Sequence, residues 1–307
     1  MKTLTALLAE DATRIKADIK ALLDLSRLHR EREYDNIVVI NADGNHWWDD
    51  LTLDGKRLQA KVLEEYRPYR DMVRVLIRGL PGDALRAFGE ADDTLTKHVE
   101  QQRATWCETA AEACEKTLQA LDQIQGLLER LFSSEGEVLL IPDTNALVLA
   151  PALDRWAFEW CSAFTLVLTP TVLAELDEMK VAHRNPEVRA KAERLIRQIK
   201  EYGRRGDLRA GVPIVSGRIT ARSIAIEPRL DESLPWLDPT NNDDRLLACT
   251  IEIIRQNVRS VVVLVTADIN LQNKAHFARL PVCEPPEDRP EIVTKQADSV
   301  REEARRG

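Results

Sequence analysis

Short β-branched runs alternate with helical patterns in the second half of the chain, and this alternation constrains the fold more than any other feature. Strands that alternate with helices are typical of a parallel sheet with helices on both faces. The sequence therefore predicts an α/β domain in this half. The apolar runs fall at 138–141, 166–168, 212–215, 261–265 and 280–282.

Aspartates follow two of these runs directly. The run at 138–141 leads into Asp143, and the run at 261–265 leads into Asp268. Open α/β sheets place their sites beyond the carboxyl ends of parallel strands, where two such carboxylates could meet. Like charges crowded together repel each other, so such a cluster usually indicates a bound divalent cation. Each aspartate could instead be a helix N-cap, and these two residues alone do not decide.

Two further acidic positions fall near the same edge of the predicted sheet. Thr169 and Pro170 are typical of a helix start, which puts Glu175 about one turn into that helix. Asp243 and Asp244 lie in the first turn of another helix, where the helix dipole stabilises negative charge. Because two consecutive residues point in different directions, we expect only one of this pair to be a direct ligand.

The first 135 residues have a different pattern, because their apolar residues recur at helical spacing. Helices are predicted from residue 4 to 23, from 55 to 78 and, as a hairpin of long helices, from 83 to 132. A short strand is predicted at 36–40. The segment at 42–48 is interpreted as a turn whose aromatic residues form a hydrophobic cluster; a ligand pocket is the alternative.

Composition changes near residue 135, which divides the chain. We predict a mainly α-helical N-terminal domain at 1–135, an α/β domain at 136–284 and a charged, proline-containing tail at 285–307. The net charge of -8 gives no global basic field, although local patches matter more for nucleic-acid binding. No apolar run has the length of a membrane span, so no membrane partner is expected. The five cysteines form no Cys-x-x-Cys pair, which favours a reduced, cytoplasmic protein.

Four short motifs contain the acidic residues. They are DTNAL from residue 143, TPTVLAELDEMK from 169, NNDDRLLA from 241 and VTADINLQNKA from 265. In this order they resemble the PIN-domain family of metal-dependent nucleases, over about residues 137–283. The resemblance implies a PIN-like parallel sheet flanked by helices. The N-terminal helical region resembles no family that we can name.

The resemblance also implies an acidic metal centre. Carried over position by position, the family's acidic residues fall on Asp143, Glu175, Asp243 and Asp268, with Asp244 as the alternative to Asp243 and with Asn145 and Thr266 at supporting positions. Such a centre would hold one or two Mg²⁺ or Mn²⁺ ions, because hard cations prefer oxygen ligands. Asp143 and Asp243 would bind metal most directly. Glu175 and Asp268 would complete the shell or orient the attacking water.

The activity that the resemblance implies is endoribonuclease cleavage of single-stranded RNA. The basic segment at 180–209 could contact the RNA backbone, and the first candidates for phosphate contact are Arg204, Arg205 and Arg245. Trp236 could stack on a base, although a role as a loop anchor is the plainer interpretation.

Three other possibilities remain open. The domain could be a catalytically silent PIN-like module that binds RNA or a protein. A phosphohydrolase with an aspartate nucleophile is disfavoured, because Asn145 stands where its motif needs a second carboxylate. A toxin-like role is a further option. The N-terminal helices could recruit a protein partner, form a homo-oligomer or cover the site.

Overall fold

Four helices dominate the N-terminal part of the protein. The computed structural model describes residues 1–30, 44–132, 136–225, 227 and 230–287. The helices in this part are α1 (Leu4–Asp24), α2 (Leu53–Ile77), α3 (Gly82–Glu100) and α4 (Ala110–Leu131). A small antiparallel ribbon pairs β1 (Leu28–Arg30) with β2 (His46–Trp48). The predicted helices are thus confirmed, including the hairpin, whereas the predicted strand at 36–40 lies outside the described residues.

The N-terminal helices begin where the sequence supplies caps. Thr3, Thr52 and Thr109 each accept a hydrogen bond from the backbone amide three residues further on, which satisfies a donor that the helix itself cannot. The apolar stripes of α1 and α4 then pack together and bury residues such as Ile15 and Leu121 completely.

The interpretation of the segment at 42–48 as a turn was wrong for its last three residues. His46–Trp48 is a strand and not a turn, and His46 also forms a β-bridge with Thr105. The Trp48 ring packs edge-on against His98, with the ring centroids 6.1 Å apart. A run of three residues is too short to predict a strand from sequence. Its partners, β1 and Thr105, also lie elsewhere along the chain.

A six-stranded sheet with flanking helices forms the second part. The strand order is β5-β6-β4-β3-β7-β8. The strands are β3 (Val138–Pro142), β4 (Phe164–Leu168), β5 (Val212–Val215), β6 (Ile219–Ser223), β7 (Val261–Val265) and β8 (Val282–Cys283). The helices are α5 (Thr144–Leu149), α6 (Pro170–Ala182), α7 (Pro186–Arg205), α8 (Asn242–Gln256) and α9 (Ile269–Phe277). The predicted α/β class is confirmed.

Strand β6 was missed by the sequence analysis, which predicted no strand between the runs at 212–215 and 261–265. It pairs parallel with β4 over its whole length and antiparallel with β5. Only Ile219 and Ala221 of this strand are buried, and the other three residues are polar, so no apolar run marks the strand. The sheet is therefore mostly parallel, with β5 as an antiparallel edge strand.

The central strands β4, β3 and β7 are parallel, so their carboxyl ends lie at one edge of the sheet. The register pairs Pro142 with Val265, the last residues of β3 and β7. The N-terminal helices pack against the part that contains the sheet: α2 contacts α8, and Arg279 donates from Nε to Asp11 Oδ2 of α1 at 2.5 Å.

All five cysteines are free thiols. None of the described helices combines the length and the hydrophobicity that a membrane span requires.

Candidate acidic centre

Asp143 lies directly after β3 and is held in place by three hydrogen bonds. Its backbone amide donates to Val265 O at 3.0 Å, which continues the pairing of β3 with β7. Its Oδ1 accepts from the Ala146 amide at 2.6 Å, so it caps α5, and its Oδ2 accepts from the Thr266 hydroxyl at 2.5 Å. The side chain is buried, with the residue 5% exposed. A carboxylate is thus fixed at the centre of the sheet edge.

Burial raises the pKa of Asp143 to about 6, from 3.8 for a free side chain. The hydrogen bonds from Thr266 and Ala146 oppose this rise, because they favour the charged form. The nearby charges of Asp268 and Asp243 add to it. Asp143 is therefore a carboxylate whose negative charge is poorly compensated by the protein.

Thr266 links the two strand tips. Its hydroxyl is fully buried, donates to Asp143 and accepts from the backbone amide of Asp268 at 2.9 Å. Asp268 in turn caps α9, because its Oδ1 accepts from the amides of Asn270 and Leu271 at 2.7 and 3.3 Å. Both aspartates are therefore helix caps and neighbours in one acidic group at the same time.

Glu175 reaches this edge from α6. Its Oε2 accepts from the Thr144 hydroxyl at 2.5 Å, and its Oε1 accepts from Asn242 Nδ2 at 2.7 Å. Thr144 is the residue after Asp143, and Asn242 is the residue before Asp243. The carboxylate of Glu175 is thus tied to the segments that carry two of the other acidic residues.

Asp243 and Asp244 have different surroundings. Asp244 is buried; its Oδ1 forms an ion pair with Lys274 Nζ at 2.6 Å and its Oδ2 accepts from the Asp238 amide at 2.9 Å. Asp243 is half-buried, and its carboxylate has no hydrogen bond within the described part of the chain. Burial raises the pKa of Asp243, Lys274 opposes the rise, and the charges of Asp268 and Glu175 add to it. The pair thus divides into Asp244, which is paired with Lys274, and Asp243, whose carboxylate makes no hydrogen bond among the described residues and is repelled by Asp268 and Glu175.

The four predicted carboxylates are brought to one edge of the sheet, although they are not gathered into a closed ligand set. Across the residues that the structure describes, no three carboxylate, imidazole or thiolate groups are close enough to hold an ion as they stand. The donor chemistry nevertheless fits a hard divalent cation, because every member offers carboxylate oxygens. The assignment of individual metal ligands stays a prediction.

The comparison with known families agrees with the α/β fold of the second part. Residues 140–285 match the family model of the PIN domain. These residues form a PIN domain. The N-terminal region matches no family, and no curated protein matches the chain. PIN domains are generally nucleases and typically use divalent metals, which is the activity class this family supports.

An open cleft lies beside the acidic edge of the PIN domain. Its volume is about 290 Å³, and it is lined by Glu175, Glu178, Met179, Ala182, His183 and Asn242. The His183 Nδ1 at its rim accepts a hydrogen bond from the Asn185 amide at 3.1 Å. The cleft therefore starts at Glu175 and continues along one side of α6.

The other predicted residues are placed less uniformly. Asn145 is exposed, and Thr144 is the residue that bonds to the acidic group. Arg204 and Arg205 are exposed at the end of α7, and Arg205 donates to Pro213 O at 2.6 Å. Arg245 donates hydrogen bonds to Glu227 and Asn242. The phosphate contacts of these arginines stay predictions.

Trp236 has the anchoring role that was the plainer interpretation. Its ring packs edge-on against Phe277, with the centroids 5.3 Å apart. Sequence reasoning also missed Asn242 and Lys274 as partners of the acidic residues. Nothing in the local pattern separates Asn242 from Asn241, which is the N-cap of α8, or joins Lys274 to a residue on another helix.

Proposed function

We propose that the PIN domain is a Mg²⁺- or Mn²⁺-dependent endoribonuclease that hydrolyses phosphodiester bonds of single-stranded RNA. The observation that carries this proposal is the state of Asp143. It is a buried carboxylate with a pKa raised to about 6, next to Asp243 and Asp268, whose charges raise it further. A divalent cation would offset this repulsion, since it supplies the positive charge that the surrounding protein lacks.

Hydrolysis of a phosphodiester needs an activated water and compensation of the charge that grows on the phosphate. When bound, one or two divalent cations would supply both. In this proposal Asp143 and Asp243 hold the cation most directly, and Glu175 and Asp268 complete its surroundings. Asp268 uses only Oδ1 for its cap, so its Oδ2 is available to accept a hydrogen bond from the attacking water.

The supporting hydrogen bonds have a defined task in this proposal. Thr266 donates to Asp143 and so fixes the rotamer of the carboxylate at the centre of the edge. Thr144 and Asn242 do the same for Glu175, one on each oxygen. Ligands held in this way lose less freedom when a cation binds, which lowers the entropic cost of closing the carboxylates around the cation.

The cleft along α6 suits an unpaired nucleotide. Met179 and Ala182 offer apolar surface to a base, while Glu178 and the ring of His183 offer polar groups at its rim. Single-stranded RNA can splay a base out of its stack into such a cleft, whereas a duplex must first break a base pair. The exposed Arg204 and Arg205 are proposed to contact backbone phosphates and not to read sequence.

The test uses the purified full chain with fluorescent single-stranded RNA, duplex RNA and single-stranded DNA, in Mg²⁺, Mn²⁺ or EDTA. Asp143→Asn is the inactive variant, and Asp93→Asn, an exposed carboxylate on α3, is the matched control. We expect metal-dependent cleavage of single-stranded RNA by the wild type and the control, reduced at least about a hundredfold in Asp143→Asn.

Two outcomes would contradict the proposal. Cleavage by Asp143→Asn at the wild-type rate would remove Asp143 from the centre. A wild type that neither binds Mn²⁺ nor cleaves any substrate would favour the alternative, a silent module that binds RNA or a protein. The cytoplasmic location, the partner of the N-terminal helices and a toxin-like role stay predictions.

A further inference from the structure

A chain of side-chain hydrogen bonds runs from Glu227 to Glu175. Arg245 donates from Nε and Nη2 to Glu227 Oε2 at 3.1 and 2.5 Å, and from Nη1 to Asn242 Oδ1 at 3.3 Å. Asn242 then donates from Nδ2 to Glu175 Oε1 at 2.7 Å. These residues come from the segment after β6, from α8 and from α6, so only the folded chain joins them.

The position of Arg245 decides which end of the Asn242 amide faces Glu175. A guanidinium can only donate hydrogen bonds, so the amide oxygen of Asn242 must face Arg245. The amide nitrogen then faces the Glu175 carboxylate, which can only accept. If the amide were reversed, its oxygen would face the carboxylate and its nitrogen would face the guanidinium, and both hydrogen bonds would be lost.

Arg245 is itself held by Glu227. The Glu227 carboxylate receives two bonds from Arg245 on one oxygen and one from the Thr171 hydroxyl on the other, at 2.8 Å. Burial would raise the pKa of Glu227, but the hydrogen bonds from Arg245 and Thr171 outweigh it and the pKa is lowered. The carboxylate therefore stays charged and fixes the guanidinium.

We propose that Arg245 is a positioning residue for Glu175, acting through Asn242, and that it does not bind RNA phosphate. The inference rests on the proposed function, because Glu175 matters here as a member of the acidic metal centre. Residues that orient a metal ligand typically change metal affinity or activity by 10- to 100-fold when they are replaced. Arg245 and Asn242 act in one chain, so losing either breaks the same support.

Arg255 provides a matched control on the same helix. It also joins a carboxylate to a neutral oxygen, because it donates to Glu252 Oε2 at 2.6 Å and to Arg78 O at 2.6 Å. It lies near the opposite end of α8, away from the acidic edge. Arg255→Gln therefore removes a similar two-armed contact without touching the support of Glu175.

The experiment compares Arg245→Gln, Asn242→Ala, the double variant and Arg255→Gln in the full-length protein. Mn²⁺ affinity is measured by calorimetry, and kcat and KM are measured on single-stranded RNA. We expect Arg245→Gln and Asn242→Ala each to weaken Mn²⁺ binding about tenfold and to lower kcat, with KM for RNA unchanged. The double variant should bind Mn²⁺ as tightly as the more impaired of the two single variants, because both changes break the same chain of hydrogen bonds. Arg255→Gln should match the wild type in Mn²⁺ affinity and kcat.

Arg245→Lys separates geometry from charge. Lysine keeps the positive charge but offers one ammonium in place of the planar fork, so it cannot hold Glu227 and Asn242 in the same way. We expect Mn²⁺ affinity between those of the wild type and Arg245→Gln. If Arg245 contacted phosphate, the results would differ. The KM for RNA would rise, the slope of log affinity for RNA against log salt concentration would fall by about one, and Mn²⁺ affinity would not change. That pattern would overturn the inference.

A protein that neither binds Mn²⁺ nor cleaves RNA would refute the proposed function and leave the chain of hydrogen bonds to be judged by stability. Melting temperatures of Arg245→Gln, Glu175→Gln and their double variant then decide. Arg245 and Glu175 do not touch each other, so shifts that fail to add would support a connection through Asn242. Additive shifts would overturn it.

Discussion

Replacing Asp143 by asparagine is expected to stabilise the metal-free protein at neutral pH, although it removes the central acidic residue. The pKa of this buried carboxyl rises from 3.8 to about 6. A carboxyl with a raised folded-state pKa binds its proton more tightly in the folded protein, so stability falls as pH rises from about 4 through 6. The full shift corresponds to about 3 kcal/mol lost above pH 6.

Asparagine removes that loss but has only one accepting oxygen. It can accept from the Ala146 amide or from the Thr266 hydroxyl, and losing one of these bonds costs about 1 kcal/mol. We expect a net gain of about 2 kcal/mol at pH 8. At pH 5 the wild-type carboxyl is largely protonated and recovers about 1.4 kcal/mol, so the gain should shrink to about 0.6 kcal/mol.

Urea unfolding in EDTA at pH 8 and pH 5 measures both values. Asp93→Asn, on the exposed face of α3, gives the effect of removing one negative charge elsewhere. A second series with Mn²⁺ should stabilise the wild type and leave Asp143→Asn unchanged, because ligands that bind only the folded state raise its stability. An Asp143→Asn protein that is less stable than the wild type by the same amount at both pH values would refute the raised pKa.

Three further predictions test the acidic residues and their surroundings. Thr266→Val keeps the shape of the side chain but removes both hydroxyl bonds; we expect a loss of about 1–3 kcal/mol in urea unfolding and weaker Mn²⁺ binding, and an unchanged Mn²⁺ affinity would count against its supporting role. Lys274→Met leaves buried Asp244 without its cation, so unfolding should need about 2 kcal/mol less, and adding Asp244→Asn should restore part of that loss; no restoration would contradict the ion-pair explanation. Asp243→Asn should abolish Mn²⁺ binding and, at neutral pH without metal, keep or slightly raise the melting temperature, because burial raises the pKa of Asp243. Asp244→Asn should mainly lower the melting temperature; the reverse result would make Asp244 the ligand.

Much of the PIN fold could be predicted because its central strands carry their own signal. Strands β3 and β7 are buried on both faces, so almost every residue is apolar and the run is visible without any alignment. Strand β6 buries one face only, so polar residues interrupt its apolar pattern and no strand was predicted there. The strand at His46–Trp48 was missed for a different reason: it is short, and the strand and residue with which it pairs lie elsewhere along the chain.

The acidic positions were also visible in part. Asp143 and Asp268 could be predicted to lie close together, because the parallel strands before them end at one edge of the sheet. The sequence analysis treated helix capping and membership of an acidic group as alternatives, but each of these residues does both. The pair at 243 and 244 could not be resolved from sequence. Lys274, which occupies Asp244 and leaves Asp243 free, lies 30 residues further along the chain.

The sequence by itself determined the class of the second half, the order of its acidic segments and the oxygen chemistry of its donors. These are local properties, set by residue type and spacing along the chain. Only the tertiary structure decided which side chains bond to one another: Thr144 and Asn242 to Glu175, Lys274 to Asp244, and Arg245 to Glu227. Hydrogen bonds and ion pairs act over a few ångströms, so their partners are chosen by how helices and strands pack and not by proximity in sequence.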